Sequence, residues 1–98
     1  MTADAVTVAP ELYKVVPEND RVRVLEVRAN PSIKTAMHTH PSQVANGLSD
    51  GQYRFTSPDG QSAEVELKAG EVLYMDPVEH TTEVIGTQEA HVILVELK

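Results

Sequence analysis

The stretch Ser57–Lys68, SPDGQSAEVELK, decides the fold class of this chain. Its Pro-Asp-Gly core is a strong turn signal, because Pro presets φ, Asp bonds to its own backbone and Gly accepts a positive φ. After the turn, apolar residues alternate with charged ones, which is the period of a strand with one buried face. We therefore expect a tight turn, followed by a strand with Ala63, Val65 and Leu67 on its inner side.

The same alternation of short strands and turns continues in both directions. Further strands are predicted over Glu11–Val16, Arg21–Arg28, Lys34–His40, Gln43–Leu48, Gln52–Thr56, Glu71–Met75, Thr81–Ile85 and Ala90–Leu97. The turn Ser49-Asp50-Gly51 is typical of a hairpin between two of them. No repeat, linker or helical period interrupts the pattern, so the sequence predicts one all-β domain over residues 1–98, a sandwich or a barrel. Residues 1–16 are expected to form a loosely packed N-terminal arm, or one that contacts a partner subunit.

Composition narrows the possible partners. The 98 residues include 8 basic and 15 acidic side chains, which gives a net charge of −7. This balance argues against nucleic acid and anionic membranes as partners. No apolar run is long enough to span a bilayer. The absence of cysteine is typical of a protein that works in the cytoplasm, and a cytoplasmic location is the expectation.

Histidines supply the main chemical signal. His38 and His40 lie one residue apart, and His80 follows a proline-containing turn further along the chain. Residues i and i+2 of a strand share a face about 7 Å apart, so two imidazoles can turn toward one ion. A single His or an isolated His-x-His pair is more often a surface or structural feature. The third His, beside β-rich sequence, favours a metal site with open coordination positions.

These features resemble the cupin superfamily, specifically the small single-domain bacterial cupins, from about Glu18 to Lys98. The first cupin motif has a Gly, five residues, His-x-His, then a Glu and a closing Gly. In this chain Ser32 stands at the leading Gly, His38 and His40 match the pair, and Gly51 matches the closing Gly.

The second cupin motif also matches, with departures. Gly70 and His80 fit, the turn at Pro77 is one residue shorter than the commonest form, and Val84 stands where Asn is usual. The first motif departs at Val44, which occupies the usual Glu position. Without that carboxylate, the resemblance implies a neutral three-His face, similar to the iron centres of diketone-cleaving, gentisate and thiol dioxygenases.

The resemblance also implies a fold and a set of functions. The fold would be a double-stranded β-helix, the jelly-roll cupin barrel, and such small cupins commonly form homodimers. The function would be that of an Fe(II)-dependent, dioxygenase-like oxidoreductase acting on a small chelating substrate, with Zn, Ni or Mn as alternative ions. A non-catalytic module that holds a small ligand or metal, and a metal-dependent isomerase or lyase, stay open as alternatives.

Several residues near the histidines are further candidates. We expect Val44 to face the metal cavity, with Phe55, Tyr74 and Met75 as the rest of an apolar wall. Asn46 has the parity of Val44 and could orient a substrate together with Tyr74, although a turn-proximal Asn and a core Tyr are the plainer interpretations. Gln43 is a fourth-ligand candidate only if a bulge shifts the register by one residue.

Overall fold

A computed structural model describes residues 4–98. The described chain contains one short helix and nine strands, whose bounds are α1 (Ala5–Val8), β1 (Tyr13–Glu18), β2 (Val22–Ala29), β3 (His38–His40), β4 (Gln43–Gly47), β5 (Gly51–Thr56), β6 (Ser62–Leu67), β7 (Val72–Met75), β8 (Val78–Val84) and β9 (Ala90–Leu97). The strand that follows the Pro-Asp-Gly turn is β6, where Val65 is half-buried and Leu67 is buried, as the alternation predicts. Ala63, which was expected on the same inner side, is exposed. Within residues 4–98, no helix is long and apolar enough to cross a membrane.

The strands form two antiparallel sheets. The five-stranded sheet has the order β1-β2-β9-β4-β7, and the four-stranded sheet has the order β3-β8-β5-β6. From β3 onward the chain passes repeatedly between the sheets, so most neighbours within a sheet are distant in sequence. This is the double-stranded β-helix, and the predicted jelly-roll architecture is confirmed. The core between the sheets is mainly aliphatic, with Leu25 fully buried at its centre.

Two local predictions were wrong. The turn Ser49-Asp50-Gly51 does not close a hairpin, because β4 pairs with β7 and β9 whereas β5 pairs with β6 and β8. A turn signal predicts that the chain reverses direction. Which strand pairs with which is decided by the burial of apolar side chains between the two sheets. The predicted strand Lys34–His40 is reduced to His38–His40, and Lys34 makes only an isolated bridge to Glu83.

The N-terminal segment packs more closely than expected. Over the described residues of the predicted arm, 4–16, the side chains of Ala5, Ala9 and Tyr13 are buried in the core. Ala5 lies in α1, and Tyr13 begins β1 on the five-stranded sheet. The small alanines let this short helix sit directly on the barrel. The remaining part of the predicted arm, residues 1–3, lies outside the described residues.

Ser32, at the leading Gly position of the first motif, has a φ of 73°. That left-handed conformation is the one in which Gly is favoured over residues with a Cβ. The Ser32 amide donates to the carbonyl of Val84 at 2.8 Å and so fixes the turn before the ligand strand β3. The turn geometry typical of the motif is therefore kept although the Gly is absent.

Candidate metal centre

Three buried imidazoles meet inside the barrel. In the pairing of β3 with β8, His38 lies directly opposite His80, and His40 lies two residues further along β3. The ring centroids are 4.9 to 5.5 Å apart, and one nitrogen from each ring lies within 4.8 Å of the other two. The prediction that these three residues converge on one interior point is confirmed.

Hydrogen bonds set the orientation of the first two rings. His38 Nδ1 lies 2.9 Å from the carbonyl oxygen of Ala36, and His40 Nδ1 lies 2.7 Å from a carboxylate oxygen of Glu96. Carbonyl and carboxylate oxygens only accept, so Nδ1 of each ring must carry the proton. In the neutral rings the Nε2 atoms then keep their lone pairs. Neutral imidazole with a free Nε2 is the form that binds metal ions.

Aromatic contacts hold the rings in place. The ring of Phe55 stacks on His80 with centroids 4.7 Å apart and an interplanar angle of 7°. Tyr13 meets the rings of His38 and His40 edge-on at 5.5 and 5.7 Å. These contacts restrict ring rotation, so the cluster is preorganised by apolar packing as well as by hydrogen bonds.

The setting favours the neutral form of His38 and His80. Burial first, and the proximity of His38 and His40 second, together lower the pKa of His80 to about 3. Burial is also the main cause that lowers the pKa of His38, against the Ala36 carbonyl, which raises it. His80 Nε2 lies 3.3 Å from Thr82 Oγ1, so this hydroxyl can donate to the ring in the metal-free protein.

Two buried polar atoms beside the cluster fit a cation. Among the described residues, His38 Nε2 and Gln43 Oε1 are both buried without a hydrogen-bond partner. Both are lone-pair donors, and burying such atoms unpaired is costly. A divalent cation binds such lone pairs as ligands and would satisfy them. The residues present therefore fit a metal ion.

A small cavity adjoins the cluster. It has a volume of about 60 Å³, and its lining includes His40, His80 and Gln43. A water molecule needs roughly 10–15 Å³ of such cavity volume, so the space holds only a few waters or a ligand of similar size. Most of the remaining wall is apolar, formed in part by Phe55, Leu73, Met75, Val92 and Leu94.

Comparison with known proteins agrees with this geometry. No protein-family model and no curated protein matches the sequence. Among solved structures, a cupin domain from Bordetella pertussis is 27% identical, covers 89% of this chain and 92% of its own, and has a TM-score of 0.78. An RmlC-like cupin with a double-stranded β-helix fold from Methanocaldococcus jannaschii is 14% identical over 88% of this chain and 78% of its own, with a TM-score of 0.67.

The protein is a small member of the cupin superfamily. Fe(II)-HppE, solved with the alternative substrate (S)-1-HPP, is also similar, at 16% identity and a TM-score of 0.66. The match covers 86% of this chain but only 48% of that protein, and at this identity it shows a common fold.

Several other predicted site residues do not lie where the sequence analysis expected them. Along β4, Gln43 and Ala45 are buried and line the cavity, whereas Val44 and Asn46 lie on the opposite face. Tyr74 pairs with Val44 and is 56% exposed. The expectation that Val44 faces the metal was wrong, and neither Asn46 nor Tyr74 lines the cavity.

The error lay in the strand register. Counting four residues from His40 to the usual Glu position selected Val44, but the chain turns between His40 and Gln43, and β4 begins at Gln43. A shift of one residue moves every side chain of a strand to the other face. Gln43 therefore points inward although β4 pairs in regular register with β7 and β9, with no bulge.

Sequence reasoning missed Glu96. This carboxylate is 2% exposed and contacts His40, so an acidic side chain lies directly beside the three-His face that was expected to be neutral. A signal was present in the sequence. Glu96 shares its parity with Val92 and Leu94 on β9, where both are buried, and a charged residue on the apolar side of a strand is a marker of a buried polar network.

Proposed function

We propose that this cupin is a mononuclear metalloprotein in which His38, His40 and His80 hold one divalent ion. The observation that carries the proposal is the convergence of three imidazoles, with ring nitrogens within 4.8 Å of one another, in a buried site. The amide oxygen of Gln43 is the candidate fourth ligand, since it is buried without a partner. A Gln donor adds no charge, so the four ligands together would leave the ion a net cation that favours anionic substrates.

The finer proposal is an oxidoreductase of the dioxygenase type that acts on a small chelating substrate. A bound divalent ion would supply Lewis acidity and open coordination positions, and iron would add redox chemistry. Fe(II) is the first ion to test because a protein of the same fold, Fe(II)-HppE, contains it. Zn, Ni and Mn are the alternatives, since imidazole ligands accept all of these ions.

The chain's own residues would bind, orient and shield the substrate. The cavity of about 60 Å³ favours a substrate with few non-hydrogen atoms, such as a short carboxylate or thiolate. Phe55 and Met75 would exclude water from one side, and the Gln43 amide and Thr82 hydroxyl are among the polar groups that line the space. Exclusion of water strengthens every electrostatic interaction in such a site.

A second candidate function is a module that holds a small ligand or metal without turnover. The sparse polar lining of the cavity favours this alternative, because a catalytic site needs groups that move protons or fix the substrate. A metal-dependent isomerase or lyase is a third variant of the same site. The cytoplasmic location expected from the lack of cysteine remains a prediction.

The test begins with metal analysis of protein made in unsupplemented medium. The Fe(II)-loaded protein is then screened for oxygen uptake with small carboxylates, thiols, diketones, catechols and gentisate-like acids, beside a His80→Ala variant. Metal binding with oxygen uptake above that variant supports the enzyme. Stoichiometric metal without oxygen uptake favours the binding module or the isomerase and lyase variant. Absence of any metal affinity would contradict the proposed centre itself.

We further propose that the protein is a homodimer that buries the outer face of the five-stranded sheet. This outer face is defined by the apolar side chains Val24, Ile93, Val95, Val44, Val72 and Tyr74, which lie in adjacent register across β2, β9, β4 and β7. Val72 and Tyr74 are 63% and 56% exposed. A second copy of this chain is the partner that fits this surface, because in a two-fold symmetric interface the same patch of each subunit contacts the other.

A further inference from the structure

Glu96 is buried, and both of its carboxylate oxygens accept hydrogen bonds. One oxygen accepts the Nδ1–H of His40 at 2.7 Å, and the other accepts from Arg23 Nε at 2.9 Å and Arg23 Nη2 at 2.6 Å. The Glu96 side chain is 2% exposed and that of Arg23 is 20% exposed. A carboxylate held this way cannot rotate to follow the imidazole, so the imidazole must conform to it.

Asp4 holds Arg23 from the other side. The Asp4 carboxylate accepts hydrogen bonds from both terminal guanidinium nitrogens of Arg23, from Nη1 at 3.2 Å and from Nη2 at a shorter distance. Burial opposes ionisation of Asp4, but the hydrogen bond and the charge of Arg23 outweigh it and lower the pKa of Asp4 below its usual value. Arg23 therefore sits between two carboxylates, and one of them belongs to the N-terminal segment.

The same Asp4 also meets the ligand strand through its backbone. It forms an isolated parallel bridge with Thr39, the residue between His38 and His40. β3 is an edge strand of only three residues that pairs with β8 on its other side. Asp4 thus covers the open edge of the ligand strand. A closed chain of contacts begins and ends on this strand, running from His40 through Glu96, Arg23 and Asp4 to Thr39.

We infer that Glu96 is a positioning residue for the metal centre, fixing the His40 ring with Nε2 toward the cavity, and that the Arg23–Asp4 pair holds Glu96 in place from the N-terminal segment. This inference rests on the proposed metal-binding function. A carboxylate hydrogen-bonded to a ligand histidine selects the tautomer and raises the basicity of the ligand nitrogen. Its single negative charge also partly offsets the charge of a bound cation.

The experiment compares metal binding and ring tautomer in matched variants. Glu96→Gln keeps a hydrogen-bond acceptor but removes the charge, and we expect about 10-fold weaker Co(II) and Zn(II) binding, within the 10–100-fold range for such partners. The double variant Arg23→Met/Glu96→Leu removes the whole ion pair, which proteins tolerate better than loss of one member. We expect it to fold and to lose about 100-fold in affinity.

Two readouts separate positioning from a merely structural role. In the metal-free protein, the ¹⁵N shifts of His40 should show the Nδ1–H tautomer in the wild type and a mixture of tautomers in the double variant. In the Co(II)-loaded protein, the visible absorption bands should shift with Glu96→Gln. Glu26→Gln is the matched control, since Glu26 contacts His91 at 2.8 Å away from the cluster, and it should change neither readout.

The outcomes are distinguishable. If the wild type binds Co(II) and a folded Arg23→Met/Glu96→Leu variant binds it as tightly, with the same spectrum and tautomer, the positioning role is overturned while the proposed metal centre stands. If the wild type binds neither Co(II) nor Zn(II), the proposed function fails and the positioning role fails with it. Weaker binding in the Glu96 variants with unchanged binding in Glu26→Gln supports the inference.

Discussion

Each face of strands β4 and β9 carries residues that depart from the usual arrangement. On the inner face, Gln43 and Glu96 pair across the strands and are each 2% exposed. On the outer face, Val44 pairs with Val95, and Tyr74 beside them is 56% exposed. Polar groups thus lie among the buried apolar residues inside, and apolar groups lie on the outside of the same strands.

This contrast is informative because buried polar groups and exposed apolar groups are the exceptions to the normal pattern of burial. Of the inner polar groups, Glu96 contacts His40 and Gln43 Oε1 is left unpaired, which is the arrangement we attribute to a cation. Of the outer apolar groups, Val72 and Tyr74 are largely exposed, which is the arrangement we attribute to a second copy. The predictions below test whether each face has the role assigned to it.

The largest effect is expected at the histidine cluster on the inner side. His80→Ala removes one of three ligands, so we expect metal affinity to fall by at least about 1,000-fold, measured by chelator competition or calorimetry. His91→Ala is the control, because His91 contacts Glu26 rather than the cluster, and its affinity should match the wild type. Full metal occupancy in the His80→Ala variant would place the ion elsewhere.

The next effect concerns the outer face. Tyr74→Lys and Val44→Glu each add a charge to the proposed dimer contact, so we expect the dimer dissociation constant to rise by about 100-fold, or about 2.7 kcal/mol. Light scattering across a concentration series measures this change. Metal affinity should stay the same in both variants because neither residue lines the cavity. Tighter metal binding in Val44→Glu would mean that β4 is in the other register.

A smaller effect is expected for Gln43 on the inner face. Gln43→Leu keeps most of the side-chain volume but removes the amide oxygen, so we expect about 10-fold weaker metal binding as one neutral ligand is lost. The matched variant on the other side of the strand is Asn46→Leu, which also replaces an amide and should leave affinity unchanged. Equal affinity in Gln43→Leu and the wild type would remove Gln43 from the ligand set.

The smallest effect is a pH dependence of stability in the metal-free protein. The folded pKa of His80 is about 3, lowered by burial first and by the neighbouring histidines second, whereas an unfolded imidazole titrates near 6.5. Between these values the unfolded chain binds a proton that the folded chain does not, so stability is complete above about pH 6.5 and falls as the pH is lowered. The expected slope is about 1.4 kcal/mol per pH unit for one such proton.

Urea unfolding in the presence of a chelator at pH 7.5, 6 and 5 measures this slope. Carboxylates also contribute to acid sensitivity, so the comparison is with a folded His80→Gln variant, which cannot take up the proton. The wild type should lose more stability than the variant over this range. Parallel pH profiles for the two proteins would show that His80 is not held neutral by burial.

The sequence determined the fold class and the histidine cluster because both rest on short-range periodicity. The alternation in Ser62–Leu67 and the turn signals around it were enough to predict an all-β sandwich or barrel, and the resemblance to cupins specified the jelly roll. The His-x-His spacing placed His38 and His40 on one face of β3. His80 was added from its position after a proline-containing turn beside β-rich sequence, which the second cupin motif also matches.

Only the tertiary structure decided which face of β4 and β9 belongs to the site. The parity of Gln43 depends on how the chain turns after His40, and a one-residue error there exchanges the two faces. The contacts of Glu96 with Arg23, His40 and, through Arg23, Asp4 join residues from four separate parts of the chain. Local pattern constrains each strand alone, whereas the Arg23–Glu96 contact arises from the pairing of β2 with β9 and the His40–Glu96 contact from the packing of one sheet on the other. Both are properties of the whole barrel.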